Sequence, residues 1–305
     1  MAVVPRGRFV WHELMTADPT AVGFYEQVIG WTVMSWDKDP SYRMFAWKGV
    51  PMAGVMPVSD EARRAGMRPH WISYVTTPDV DATVAQAVSL GAKTHLQPMD
   101  VPSVGRVAVL SDPQGATIGV FQPETPGTES DDIGLGDFSW HECIADDWKA
   151  AWDFYRALFG WEFDSQMDMG AMGTYWMFRR PGGSRAMGGM YNRPPEIPRA
   201  HWLPYVHVAS ADRIAALAPR HGGSVMHGPM EVPGGDRIAM LMDAQGAPIA
   251  VHATKPKVAA KPKPKPKAKQ QAVAKQPAKQ APARKAKPAK PARRPVKKAA
   301  PRKRR

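Results

Sequence analysis

The stretch FVWHEL (residues 9–14), extended to GRFVWHELMTAD (7–18), returns as GDFSWHECIADD (136–147), 129 residues further along. Four more segments come back at nearly the same offset. FYEQVIGW (24–31) returns as FYRALFGW (154–161), SYRMF (41–45) as TYWMF (174–178), and PHWISYV (69–75) as AHWLPYV (200–206). The longest, PMDVPSVGRVAVLSDPQGA (98–116), returns as PMEVPGGDRIAMLMDAQGA (229–247). Self-similarity on this scale means one folding unit used twice. The copies cover 7–122 and 136–252, and a linker at 123–135 rich in Pro, Gly and acids joins them.

Each copy divides again. The first half reads as a strand (8–16), a helix (19–29) and strands near 31–36, 42–48 and 52–57. The second half reads as a strand (70–76), a helix (80–90) and strands near 93–97, 106–111 and 116–121. Asp18 and Pro19 suit the N-cap and first turn of the first helix, and Gly91 suits the end of the second. The expected fold is therefore α+β. Two tandem domains are each built from paired βαβββ modules, giving a curved, cup-like sheet of eight strands with helices outside.

Charge is distributed unevenly. Residues 253–305 hold 15 Lys and 6 Arg and no acid, and taking these from the chain's +13 leaves −8 on residues 1–252. A Lys/Ala/Pro segment without aromatics cannot bury enough surface to fold, so the tail is expected to be disordered. It resembles histone H1-like tails and implies salt-dependent binding to nucleic acid or another polyanion. The single cysteine, Cys143, excludes an intrachain disulfide and fits a reducing compartment. No signal-like segment or 18-residue apolar run is present, so a cytoplasmic, nucleoid-associated protein without membrane contact is expected.

The pattern strand-Asp-helix, FY-x-x-(V/L)-(I/F)-GW, then DP-x-GA before the last strand (DAQGA in the second copy), resembles the vicinal oxygen chelate superfamily. This is the glyoxalase, bleomycin-resistance and dioxygenase group, and the two-copy form resembles its mycobacterial-antigen-like, glyoxalase-like branch. The resemblance spans about residues 7–252. It implies a cavity in each cup and, in metal-dependent members, ligands on the first and last strands of each module. Those positions fall here on Trp11, Ile72, Gly119 and Gly54–Met56, and in the second copy on Trp140, Leu203, Ala250 and Gly188–Met190. None offers a metal donor set.

Strand alternation separates the Trp-His-Glu triplet. Trp11, Glu13 and Met15 share one face, His12 and Leu14 the other. Trp and Glu are expected in the cup, and His against a helix or the neighbouring domain. Glu13 with His70, Tyr74, Met56 and Arg106 would then line one cup. Trp140 and Glu142 with His201, Tyr205, His207 and Arg237 would line the other. Glu13, His70, Tyr74, Glu142, His201, Tyr205 and His207 are the candidate acid/base groups, against the plainer reading that each His and Tyr hydrogen-bonds locally in a half-buried sheet. Arg106 and Arg237 read either as structural ion pairs or as anion clamps. Trp11, Trp47, Met52, Met56, Trp140, Met187 and Met190 are expected near the cavities, which suits a small apolar or aromatic ligand.

The expectation is a metal-free binding protein with a polyanion-binding tail. A divalent metal serving a lyase or dioxygenase through a His12/Glu13-type site is the alternative. A nucleic-acid-associated protein tethered by its tail is another. Module exchange in a homodimer stays open.

Overall fold

In the computed structural model, residues 6–18, 22–64, 66–125 and 131–255 are described. The expected first helical turn at Pro19, linker residues 126–130 and tail residues 256–305 lie outside them. The first copy runs β1 (Phe9–Thr16), α1 (Gly23–Val28), β2 (Thr32–Trp36), β3 (Asp39–Trp47), β4 (Val50–Pro57), a short α2 (Asp60–Arg64), β5 (His70–Thr76), α3 (Val80–Ser89), β6 (Lys93–Val101), β7 (Gly105–Ser111) and β8 (Thr117–Pro123). The second runs β9 (Phe138–Ala145), α4 (Trp148–Phe159), β10 (Glu162–Asp168), β11 (Thr174–Arg179), β12 (Gly188–Asn192), β13 (His201–His207), α5 (Ala211–Leu217), β14 (Ser224–Glu231), β15 (Arg237–Met242) and β16 (Pro248–Ala253).

Each copy forms one eight-stranded sheet, in the orders β2-β3-β4-β1-β5-β8-β7-β6 and β10-β11-β12-β9-β13-β16-β15-β14. The two modules of a copy therefore pair within the chain, through antiparallel β1/β5 and β9/β13. Inside each module the helix is the crossover that lets the first and fourth strands run parallel. Asp79, Asp147 and Ser210 cap α3, α4 and α5 by accepting backbone N–H groups. Gly160 ends α4 at φ 68°, a left-handed position that favours glycine.

Both first strands carry a bulge. The register against β5 skips Val10, and the register of β9 against β13 skips Ser139. Beyond the bulge Phe9 and Phe138 turn to the helix side, while Trp11 and Trp140 stay on the opposite, cup face.

The helix faces build two cores, and each core draws on both copies. One joins Leu14, Tyr25, Trp31 and Phe45 of the first copy to Val206, Ile214, Leu241 and Val251 of the second. The other joins Val75, Val84, Leu110 and Ile118 to Tyr155, Phe159, Trp161 and Trp202. The repeated motifs make the polar bonds across this junction. Tyr25 donates to Asp243 at 2.8 Å and Tyr155 to Asp112 at 2.9 Å. Trp31 donates to the Gly136 carbonyl and Trp161 to that of Gly7. Gln245 exchanges two hydrogen bonds with the Asp18 backbone, and Gln114 does the same with Asp147. The FY and D-x-QGA motifs thus hold one copy to the other.

His12 and His141 meet at the centre of this junction, Nε2 to Nε2 at 2.8 Å. His12 stacks on Phe138 and His141 on Phe9. Burial lowers the basicity of both, His141 to about 3, so both are neutral near pH 7. The expectation that His12 faces a neighbouring domain holds, and these histidines are unavailable to either cup.

Candidate functional site

On the first cup face, alternation along β1 lifts Trp11, Glu13 and Met15 away from the helices. Glu13 Oε1 accepts from the Tyr42 hydroxyl at 3.0 Å, and Oε2 accepts from the Tyr74 hydroxyl at 2.7 Å. Trp11 Nε1 donates to the Tyr42 hydroxyl at 3.3 Å. Two glycines make room. A methyl on Gly54, the strand neighbour of Glu13, would overlap the Tyr42 hydroxyl. A methyl on Gly119, the strand neighbour of Tyr74, would overlap that ring. Ile72, Val107, Val109, Phe121 and Met15 complete the apolar floor.

The second cup repeats the arrangement. Glu142 accepts from Tyr175 at 2.8 Å and Tyr205 at 3.0 Å, and Trp140 Nε1 donates to Tyr175 at 2.8 Å. Gly189 gives Tyr175 its space. The covers differ. Trp11, Glu13 and Met15 are half-buried, whereas Glu142 is 5% exposed and Ile144 is buried. Tyr191 stands where the first copy has Met56, and Met167, Met169 and Ile197 pack against the same cluster.

Burial raises the Glu13 pKa despite its two phenol bonds, and raises that of Glu142 to about 7. Burial, and then the neighbouring carboxylate, pushes Tyr74, Tyr175 and Tyr205 well above the usual phenol range. The phenols therefore remain protonated donors to a carboxylate that takes up a proton more readily than usual.

Trp11, Glu13, Met56, Tyr74, Trp140, Glu142 and Tyr205 lie on the cup faces as expected. His70 and His201 share those faces but sit one step beyond the Glu–Tyr groups, opposite Met15 and Ile144. Each is bonded through Nδ1 to a carbonyl, of Arg68 and Arg199. No hydrogen bond links either to its glutamate, so the expected Glu–His acid/base pair is not assembled. His207 lies at the far end of β13, with Nδ1 bonded to the Gly134 carbonyl.

Arg106 and Arg237 form ion pairs, one of the two readings open to them, but their placement in the cups is corrected. They follow the alternation of Ala108/Leu110 and Ala239/Leu241, which is the helix side. There they pair with Asp81 of α3 and Asp212 of α5. Trp47, Met187 and Met190 likewise belong to the shared cores. Met52 and Met187 line a cleft of about 570 Å³ between the copies.

The residues that sequence reasoning missed are Tyr42 and Tyr175. Their signal was present, because each is the tyrosine of the SYRMF/TYWMF repeat.

A chelated metal of the kind the resemblance implies does not fit these residues. Each floor offers one carboxylate, and both of its oxygens already accept phenols. At Gly119, on which the resemblance's last-strand ligand position falls, the Tyr74 ring fills the space. Among the described residues no group of three or more His, Cys, Asp or Glu could hold an ion, whereas a divalent cation asks for three or four donors.

Residues 13–121 match the family described as a glyoxalase-like domain. Residues 139–251 match the glyoxalase/bleomycin resistance protein/dioxygenase superfamily. Over 249 residues the chain is 32% identical to a protein named putative glyoxylase CFP32 from Mycobacterium bovis, covering 79% of this chain and 92% of that protein. Over 261 residues it is 30% identical to the anthracycline biosynthesis protein DauV of Streptomyces sp. strain C5, covering 80% and 92%. Among solved structures, the Mn(II)-bound glyoxalase from Novosphingobium aromaticivorans superposes with a TM-score of 0.56 at 14% identity, over 83% of each chain. The 2,3-dioxygenase LapB of Pseudomonas sp. KL28 gives 0.53 at 10%, over 83% of this chain and 93% of that one. These two likenesses establish the fold alone.

Proposed function

The chain belongs to the glyoxalase/bleomycin resistance protein/dioxygenase superfamily, and from that membership we propose that it binds a small apolar or aromatic molecule in its first cup, without a metal. The observation that carries this is the Glu13–Tyr42–Tyr74 group. It is a polar anchor set among Trp, Met, Ile, Val and Phe side chains, and it stays half-open where its Glu142 counterpart is covered. A few convergent polar groups in an apolar concavity are the usual form of a small-molecule site. The relative named for anthracycline biosynthesis agrees with an aromatic ligand. If a reaction follows binding, Glu13 is the group suited to accept a proton from the ligand, because its pKa is raised.

A thermal-shift screen of aromatic compounds against the full chain tests this reading. Ligands should raise the melting temperature, as binding to the native state requires. That shift should be lost in Tyr74→Phe, and a screen without any shift would count against the site.

A second reading, a metal-dependent lyase or dioxygenase, draws on the relative named glyoxylase. It requires turnover that stops with chelator and returns with metal. The basic segment supports a third element, a tether to nucleic acid in the cytoplasm. Residues 256–305 carry 20 Lys and Arg. Their deletion should abolish low-salt DNA binding, and binding at wild-type strength after deletion would refute the tether.

A further inference from the structure

The hydrogen-bond inventory of the first cup narrows the ligand class. The side-chain donors that surround Glu13 are committed. Tyr42 and Tyr74 spend their hydroxyl protons on Glu13, and Trp11 spends its N–H on Tyr42. His70 meets the Arg68 carbonyl through Nδ1, so the neutral ring carries its proton there and presents Nε2 as a bare acceptor. What remains for a ligand is acceptor capacity: the spare lone pairs of Glu13, the Tyr74 oxygen and His70 Nε2. Glu13 makes no ion pair among the described residues. Arg106, which sequence alternation placed nearby, lies on the helix side with Asp81. The walls are aromatic. Trp11 bonds to Tyr42, Trp36 meets the Tyr42 ring edge-on at 6.2 Å, and Tyr74 closes the other side of Glu13.

A carboxylate without a countercharge, ringed by donors already spent on it, disfavours an anion and gives a neutral hydrocarbon nothing polar to answer. A cation supplies both the missing countercharge and, if it bears N–H groups, the missing donors. Aromatic faces attract a positive charge through their quadrupole. Resting on the reading of the first cup as a binding site, we infer that its ligand is an organic cation, an aromatic or alkyl ammonium, with the charge against Glu13 and between Trp11, Trp36, Tyr42 and Tyr74. The second cup has the same commitments but is covered, so the inference belongs to the first.

The test is a charge series on one shape. Full-length protein is titrated with benzyltrimethylammonium, with the neutral 2-methyl-1-phenylpropan-2-ol, and with the anion 2,2-dimethyl-3-phenylpropanoate. Tryptophan emission is the readout, since Trp11 and Trp36 flank the site. The ammonium should bind about tenfold or more tightly than the alcohol, and the anion more weakly than either. Glu13→Gln should bring the ammonium down to the affinity of the alcohol. The wild-type ranking needs no variant, so the test stands even if Glu13→Gln fails to fold. An alcohol or anion that binds as tightly as the ammonium overturns the inference and leaves the binding reading intact. Absence of binding by all three overturns both.

Discussion

Tyr155→Phe removes one oxygen atom from the junction between the copies, and its cost follows from two bonds. The phenol donates to Asp112 Oδ2 at 2.9 Å and accepts from Trp202 Nε1 at 2.8 Å. Tyr155 is 0% exposed, Asp112 3% and Trp202 4%, so water cannot replace the missing partner. Asp112 keeps two backbone N–H bonds, from Gln114 and Ala116, on its other oxygen. The loss is therefore one bond to a carboxylate, roughly 1.5–3 kcal/mol, and one stranded indole N–H, roughly 1–3 kcal/mol. About 3–5 kcal/mol is expected. At a urea m-value of about 3 kcal/mol/M, the midpoint falls by about 1–1.7 M. Urea unfolding followed by tryptophan fluorescence reads this directly. The transition should stay single, because both cores contain residues of both copies. A shift below about 0.2 M, or two separate transitions, would refute the cross-copy role of the FY motif.

Three further outcomes follow from the same geometry. Glu142→Gln should flatten the pH dependence of stability. With a folded-state pKa of about 7 against an ordinary 4.5, wild-type Glu142 costs stability at high pH and returns roughly 3 kcal/mol as pH falls through that window; an equal change in urea midpoint between pH 5 and pH 8 for wild type and variant would contradict this. Gly54→Ala should displace the Tyr42 hydroxyl from Glu13 and abolish ligand-induced thermal shifts from the first cup, whereas retained shifts would mean that Tyr42 is dispensable. Arg106→Ala should leave ligand affinity unchanged and barely move the urea midpoint, because its ion pairs are largely solvated; a tenfold loss of affinity in a titration would put the side chain back in the cup.

The fold was legible because the chain writes it twice. Repeats placed every module, and alternation along Phe9–Thr16 sent Glu13 and His12 to opposite faces, as the structure has them. Alternation says which residues share a face, not which face is concave. Arg106 travels with Ala108 and Leu110, which are small or apolar because α3 packs over them, and that pairing was misread as cup lining. The bulges at Val10 and Ser139 depend on pairing with β5 and β13 and leave no local mark. Tyr42 and Tyr175 reach Glu13 and Glu142 across the glycines at 54 and 189. A contact over an intervening strand cannot be read from linear spacing, even though both tyrosines stood in plain view in a repeat. The motifs that identified the superfamily proved to be the joints between copies, while the cups hold its less conspicuous residues.

Metal content of the untagged, full-length protein by elemental mass spectrometry tests the central claim most directly. Floors in which Glu13 and Glu142 are each taken up by two phenols predict no stoichiometric transition metal, and no thermal shift on adding manganese, iron or zinc. A stoichiometric metal that disappears in Glu13→Gln or Glu142→Gln would show that these carboxylates serve as ligands, and would contradict the hydrogen-bonded floor.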